Sequence, residues 1–250
     1  MTDYRMSSPP QEPPVLRFMS RRMFLRVAGC AFAMPAFAWA VNDVPTSLDH
    51  ILLGCSDLDQ GIAFVEERTS IRAAFGGVHP GRGTQNALLS LGTRRYLEII
   101  APDPKQSGTP QYPVITKLIE PRLIGWAAHP GRLQSFAAKL AKSGVAADGP
   151  TPGSRRRSDG RVLQWKALTL KENPASLLPF FIEWSADSIH PSVDSPKGCS
   201  LLRFEAASPE TELLSRQFAL LGLDIPIVKG DKPQLRATIS GPKGQFTVTS

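Results

Sequence analysis

Three stretches of the chain share one order of apolar and polar positions: a short apolar run, a polar corner and a helical pattern. Residues 48–71 read LDHILLGCSDLDQGIAFVEERTSI, and residues 123–145 and 200–223 repeat the order with LIGWAAHPGRLQSFAAKLAKSGV and SLLRFEAASPETELLSRQFALLGL. Each stretch predicts a strand, a tight corner and an amphipathic helix, and Ser56 or Asp57 is the expected N-cap of the first helix. The helix faces repeat apolar residues at positions i, i+4 and i+7, and they consist of Leu58, Ile62 and Val65; Leu133, Ala137 and Leu140; and Leu214, Phe218 and Leu221.

Alternating apolar runs follow each predicted helix and are typical of strands. Two runs follow each helix, and they cover residues 85–91, 96–101, 162–170, 178–184, 235–239 and 245–249. With one more short strand directly after each helix, the repeating unit is βαβββ and is about 75 to 85 residues long. We therefore predict a first unit over residues 41–104, a second over 105–190 and a third over 191–250.

The first forty residues follow a different pattern. The segment Ser20-Arg21-Arg22-Met23-Phe24-Leu25-Arg26 precedes a weakly apolar stretch that ends in Ala38-Trp39-Ala40. This order resembles the twin-arginine export signal, with a cleavage site before Val41. The resemblance implies a signal peptide over residues 1–40, passage through the twin-arginine translocase and a periplasmic location.

Two other interpretations of this segment stay open. One is a short membrane anchor or buried helix, although Arg26 and Pro35 interrupt the apolar run and make a spanning helix costly. The other is a lipoprotein cleavage box in Val27-Ala28-Gly29-Cys30, although only seven residues separate Arg22 from Cys30. With cleavage before Val41, we expect no stable membrane span in the mature chain.

Composition excludes several classes of protein. Hydrophobic residues make up 42% of the chain and charged residues 20%, which excludes disorder for most of it. The net charge of +7 includes five arginines and two acids in the first forty residues, and the remaining +4 is too mild and dispersed to indicate nucleic-acid binding. Cys55 and Cys199 remain after cleavage, either as unpaired core residues or as a disulfide.

Two segments carry a resemblance to a known family. The opening LDHILLGCSDLDQGIAFVEE resembles the first strand and helix of the vicinal oxygen chelate superfamily, which includes glyoxalase I, extradiol dioxygenases and antibiotic resistance proteins. Residues 76–104, GGVHPGRGTQNALLSLGTRRYLEIIAPDP, closely resemble its glyoxalase-like branch. The resemblance covers most of residues 47–190 and implies an α+β fold in which paired βαβββ units form a cupped, barrel-like sheet. The third βαβββ-like unit lies beyond that core.

The resemblance also implies a metal site. Ligands in this superfamily project inward from the first and last strands of each unit, which points to His50 and Glu98 in the first unit. In the second unit, Gly125 takes the place of His50, and Glu183 lies opposite Glu98. His50, Glu98 and Glu183 would hold Zn, Mn, Fe or Ni with open positions for substrate oxygens, and Glu183 would also be catalytic.

Physical chemistry supports this site only in part. Glu98 and Glu183 lie in dense apolar strands, where an inward carboxylate costs several kcal/mol unless it is paired or bound to a cation. An acid on a strand can also face solvent, and His50 can be a hydrogen-bonded core histidine. A fourth ligand is missing, and members with broken ligand sets often bind organic ligands without a metal.

The loop Gly76-Gly77-Val78-His79-Pro80-Gly81-Arg82-Gly83-Thr84 is a second candidate for chemistry. Its glycines free backbone N–H groups, so Gly83 is a candidate substrate contact, and Arg82 is suited to binding a carboxylate or phosphate. His79 is a candidate acid, base or extra metal ligand. Asn86 is a candidate substrate contact, with a cap of this loop as the alternative. The alternative is a tight connection whose glycines serve only turn geometry.

Further residues outside these segments receive simpler interpretations. Arg155-Arg156-Arg157 before Ser-Asp-Gly indicates a solvated hairpin tip, with an anion clamp as the alternative. Three tryptophans are expected in the core or in a pocket wall suited to an apolar ligand: Trp126, Trp165 and Trp184. His129 and His190, each before a proline, are expected to be corner residues.

Three hypotheses about function follow. The first is an exported divalent-metal enzyme of lyase, isomerase or dioxygenase type acting on a small oxygenated substrate. The second is a metal-free periplasmic protein that binds a small organic anion or toxic compound through Arg82 and the glycine loop. The third is a structural interaction domain. A homodimer is compatible with each of them.

Overall fold

The computed structural model describes Met1 and residues 44–250, apart from Ser158, Pro174 and Ala175. The predicted export signal, with its twin arginines and cleavage site, lies outside the described residues. No helix in the described part of the chain is long and apolar enough to cross a membrane. The elements are β1 (Leu48–Gly54), α1 (Leu58–Thr69), β2 (Ala74–His79), β3 (Thr84–Ser90), β4 (Tyr96–Pro102), a 3₁₀ turn (Pro113–Lys117), β5 (Arg122–Ala128), α2 (Leu133–Lys142), β6 (Ala147–Arg156), β7 (Val162–Leu170), β8 (Phe180–Trp184), α3 (Pro191–Asp194), β9 (Ser200–Ser208), α4 (Thr211–Leu221), β10 (Ile227–Lys229), β11 (Gln234–Gly241) and β12 (Gly244–Thr249).

The fold is α+β, as the resemblance implied. Eight strands form one curled sheet in the order β2-β3-β4-β1-β5-β8-β7-β6, in which β1 and β5 pair antiparallel at the centre. Each half is one βαβββ unit, with the first strand of the unit parallel to the last. The curling brings the two edge strands together, since a Cβ added to Gly77 would lie 2.6 Å from the backbone oxygen of Arg156. Only glycine permits this approach.

The three predicted helix faces lie in the core, where all of their residues are buried except Ala137, which is partly buried. The N-cap of α1 is Asp57, whose side chain accepts a hydrogen bond from the backbone N–H of Gln60 at 2.9 Å. Cys55 and Cys199 are both buried free thiols, so the interpretation as unpaired core residues is confirmed. Burial raises the pKa of the Cys55 thiol to about 12.

The third unit has the predicted βαβββ order but builds its own sheet, in the order β10-β9-β11-β12. Its first strand therefore lies between its second and third strands, whereas β1 pairs with the last strand of its unit. Phe204 of this sheet packs edge-on against Trp126 of β5, with ring centroids 5.4 Å apart. The third unit thus covers the side of the curled sheet that carries the core.

Candidate ligand-binding cup

The curled sheet encloses a cavity of about 510 Å³ that is open to solvent on one side. Polar side chains from β1–β4 line one wall, joined by Arg155 from the far edge strand β6. Aromatic side chains from β7 and β8 line the opposite wall. A concave site with apolar walls and a few convergent polar groups is the usual form of a small-molecule site.

A bulge in β1 brings Asp49 and His50 together. Leu48 pairs with Ala128 and His50 with Ala127, so Asp49 is an extra residue in the strand. The side chain of Asp49 is fully buried, and its Oδ1 lies 2.7 Å from His50 Nδ1. Sequence reasoning overlooked Asp49, because the only signal was an acid beside a histidine in an apolar strand.

Two more nitrogen groups meet the same carboxylate. The indole Nε1–H of Trp184 donates to Asp49, at 3.3 Å from Oδ2. The His190 ring donates from Nε2 to Asp49 Oδ2 at 3.2 Å, because its Nδ1 accepts from the backbone N–H of Ser192. His190 is a corner residue, as predicted, and it also helps to satisfy this buried carboxylate.

The imidazole of His50 lies between two carboxylates. Its Nδ1 faces Asp49, and its Nε2 lies 3.4 Å from Oε2 of Glu98. Burial lowers the pKa of His50, but hydrogen bonds and charge from Asp49 and Glu98 outweigh burial and raise the pKa to about 9. The ring stacks on Tyr96 with centroids 4.4 Å apart, and Phe180 packs against it edge-on. At neutral pH the ring is an imidazolium with both N–H groups engaged.

Glu98 links His50 to a buried arginine through one amide. Asn86 donates from Nδ2 to Glu98 Oε1 at 2.6 Å, and its Oδ1 accepts from Arg155 Nη1 at 2.6 Å. These partners fix the amide orientation, since a carboxylate only accepts and a guanidinium only donates. Burial raises the pKa of Glu98, but the hydrogen bond and charge of His50, with the charges of His79 and Arg155, lower it to about 2.

Arg155 is the least expected member of the site. The segment Arg155–Arg157 was predicted to be a solvated hairpin tip, and this is wrong for Arg155, which is 3% exposed inside the cup. Its Nε has no hydrogen-bond partner among the described residues. Arg156 is exposed, and Arg157 pairs with Asp194 at 2.7 Å. The two-residue period of β6 alternates these side chains between the faces.

The glycine loop contributes unequally to the cavity. His79 lies at the end of β2 with Nδ1 2.8 Å from Thr84 Oγ1, and burial lowers its pKa to about 4, so the ring is neutral at pH 7. Arg82 lies at the cavity rim and donates to Gln111 at 3.2 Å. Gly83 does not line the cavity, and its N–H donates to the side chain of Gln106.

Glu183 does not join His50 and Glu98. Its Oε2 accepts from the backbone N–H of Leu133, the first residue of α2, at 2.6 Å, so it faces the helix side of the sheet. Phe180, Ile182 and Trp184 face the cavity instead. The expected convergence of three ligands is therefore wrong for Glu183, because a shift of one residue along a strand moves a side chain to the other face.

Strand pairing identifies the true counterpart of Glu98. Glu98 pairs with Leu52 across β1 and β4, and Phe180 pairs with Ala127 across β5 and β8. Leu52 lies two residues after His50, and Ala127 lies two residues after Gly125. Gly125 and Phe180 thus stand where the second unit would supply a histidine and a carboxylate, and neither can bind a metal.

The side chains of the cup do not fit a divalent metal. No group of three or more His, Cys, Asp or Glu side chains in the described part of the chain is arranged to hold one. Arg155 adds a positive charge to the same wall. We therefore assign no metal to this cup.

Comparison with known proteins places the chain in a family. The model of the glyoxalase-like domain matches residues 48–222, so the chain belongs to the glyoxalase-like domain family. This agrees with the resemblance found in the first strand and helix and in residues 76–104. No curated protein matches the chain.

Solved structures share the fold at low sequence identity. A hypothetical protein from Staphylococcus aureus is 17% identical, with a TM-score of 0.58, over 80% of this chain and 84% of that one. Methylmalonyl-CoA epimerase from Mycobacterium tuberculosis is 17% identical, with a TM-score of 0.42, over 56% of this chain and 87% of that one. The Streptomyces coelicolor epimerase in complex with 2-nitronate-propionyl-CoA is 22% identical, with a TM-score of 0.42, over 58% and 99%. At these identities the likeness concerns the fold alone.

Proposed function

We propose that the chain binds a small organic anion in the cup without a metal, and that Arg155 makes the main contact with the anion. The observation that carries this proposal is the guanidinium of Arg155, which lines the cavity, is 3% exposed and pairs with no carboxylate among the described residues. A buried charge costs several kcal/mol unless it is paired. A carboxylate in the cavity supplies that pairing, and a guanidinium can bind it with two parallel hydrogen bonds.

The charges around the cavity favour the same ligand. The carboxylates of Asp49 and Glu98 outweigh the imidazolium of His50 by one negative charge. Arg82 and Arg155 both line the cavity, and neither pairs with a carboxylate among the described residues. The wall therefore carries an excess of positive charge that an organic anion can neutralise.

The test compares carboxylates with neutral amides of the same shape. We expect calorimetric titration of the full chain to show tighter binding of benzoate than of benzamide, and of cyclohexanecarboxylate than of cyclohexanecarboxamide. Arg155→Gln should weaken carboxylate binding about tenfold to a hundredfold, the usual worth of hydrogen bonds to a charged group. Arg156→Gln is the matched control, because Arg156 is exposed on the same strand.

Two results would overturn the proposal. One is equal binding, or no binding, of the carboxylate and the amide in both pairs. The other is the same small effect of Arg155→Gln and Arg156→Gln on carboxylate binding, with both variants folded by circular dichroism.

We also propose that residues 1–40 direct export by the twin-arginine route to the periplasm. The support is the pair Arg21-Arg22 before Phe24-Leu25 and the small residues before Val41. Amino-terminal sequencing of exported protein should begin at Val41, and replacing both Arg21 and Arg22 by Lys should block export. Arg17→Lys, outside the motif, is the control. Exported protein that retains Met1, or export by the double variant, would refute this route.

A further inference from the structure

The cavity wall formed by β7 and β8 carries three aromatic side chains. Trp165 on β7 pairs directly with Trp184 on β8, and their ring centroids lie 5.5 Å apart at an angle of 56°. Phe180 lies on the same face of β8, four residues before Trp184. All three rings are only partly buried, so each keeps surface toward the cavity.

The strand between the two walls lacks a side chain at one cavity position, Gly125. Gly125 lies on β5, which pairs with β1 of the charged wall and with β8 of the aromatic wall. A Cβ placed on Gly125 would meet no heavy atom of the described residues within 4 Å, its two chain neighbours apart. The absence of a side chain at Gly125 leaves open space there, and we call this part of the cavity the floor.

One ring of the aromatic wall, that of Trp184, is held by a hydrogen bond to the charged wall. The indole N–H of Trp184 donates to Asp49, the same carboxylate that binds His50. The position of the ring is therefore fixed before any ligand arrives, which reduces the entropy lost on binding. Aromatic faces and edges favour aromatic partners beyond the area that they bury.

We infer that the ligand of the cup is a planar aromatic carboxylic acid. Its carboxylate binds Arg155, and its ring lies over Gly125 against Trp165, Phe180 and Trp184. This inference rests on the proposed function, since it takes the anion site at Arg155 as given. It adds that the apolar part of the ligand is an aromatic ring, which the charged wall alone does not specify.

The four probe compounds separate this inference from the proposed function. In the full chain, benzoate should bind more tightly than cyclohexanecarboxylate by about twofold to tenfold, the range typical of aromatic pairs. Equal or weaker binding of benzoate, with both carboxylates still preferred over their amides, would overturn the aromatic class and leave the anion site standing. If neither carboxylate binds more tightly than its amide, the proposed function itself is wrong.

Variants of the wall and floor give a second test. Trp165→Leu should reduce benzoate affinity more than cyclohexanecarboxylate affinity, and Phe75→Leu, an exposed aromatic residue outside the cavity, should change neither. Gly125→Leu should abolish binding of both carboxylates by filling the floor, with Gly125→Ala intermediate. Equal losses of the two carboxylates in Trp165→Leu, or full binding by a folded Gly125→Leu chain, would contradict the inference.

Discussion

His50 and His79 face the same cavity but hold protons differently because their neighbours differ. His50 lies between the carboxylates of Asp49 and Glu98. His79 is buried with a hydroxyl partner, Thr84, and only a 3.7 Å approach to Glu98. Sequence identified both histidines as candidates, but their protonation follows from neighbours that only the bulge at Asp49 and the curling of the sheet bring near.

We expect the two rings to titrate on opposite sides of neutral pH. NMR titration of the imidazole resonances should give a pKa of about 9 for His50 and about 4 for His79. Glu98→Gln should lower the pKa of His50, because it removes one of the two anions that stabilise the imidazolium. Asp59→Asn, at the exposed start of α1, should leave both pKa values unchanged. A His50 pKa near 6.5 would show that Asp49 and Glu98 do not stabilise the imidazolium.

The same shifts set the pH range of stability. The folded pKa of His50 is raised, so its contribution is complete below about pH 6.5 and is lost as the pH rises through 9. The folded pKa of His79 is lowered, so its contribution is complete above about pH 6.5 and is lost as the pH falls toward 4. The sum of the His50 and His79 contributions to stability is therefore largest near neutral pH.

At the scale of elements, periodicity predicts helices better than it predicts strand neighbours. The three helix faces follow from a 3.6-residue period over ten or more residues, which few alternatives reproduce. The strand β6 reads ADGPTPGSRR and has no apolar alternation, so the inward side chain of Arg155 carries no sequence signal. For Glu183, an error of one residue within a five-residue strand reverses the face.

Glu183 has a structural role that can be tested. The N-cap of α2, Arg132, makes no capping hydrogen bond with its side chain, and the Glu183 carboxylate accepts from the N–H of Leu133 instead. Glu183→Gln should lower the free energy of unfolding by about 1 kcal/mol, because it removes an anion from the positive end of a helix. The affinity for benzoate should stay the same. Chemical denaturation with Glu172→Gln as an exposed control checks this, and weaker benzoate binding would return Glu183 to the site.

At the scale of the whole molecule, the two units of the curled sheet present different side chains to the cavity at matching positions: the first unit presents charged groups and the second presents apolar ones. The first unit keeps His50 and Glu98, and the second carries Gly125 and Phe180 at the corresponding positions. Sequence repetition predicted the paired units and the order of elements in the third. It could not predict the strand order of the third sheet, because periodicity fixes which face of a strand is buried and leaves its neighbours open.

The third unit is connected to the start of the curled sheet by one carboxylate. Asp224, after α4, accepts hydrogen bonds from the backbone N–H and hydroxyl groups of Thr46 and Ser47, just before β1. Partial burial raises the pKa of Asp224, but these four donors outweigh it and lower the pKa to about 2. A lowered carboxyl pKa contributes stability that is complete above about pH 4 and is lost as the pH falls toward 2.

Asp224→Asn should therefore reduce stability most at neutral pH. We expect a loss of about 1 kcal/mol there, at the low end for hydrogen bonds to a charged group because Asp224 is partly exposed to solvent. Urea denaturation at a series of pH values should show the wild-type and Asp224→Asn curves converging between pH 4 and pH 2, since protonation gives the wild type the same neutral partner. Asp231→Asn, in the exposed loop after β10, should show no such convergence. A stability difference that stays constant down to pH 2 would mean that the charge of Asp224 does not hold the third unit to β1.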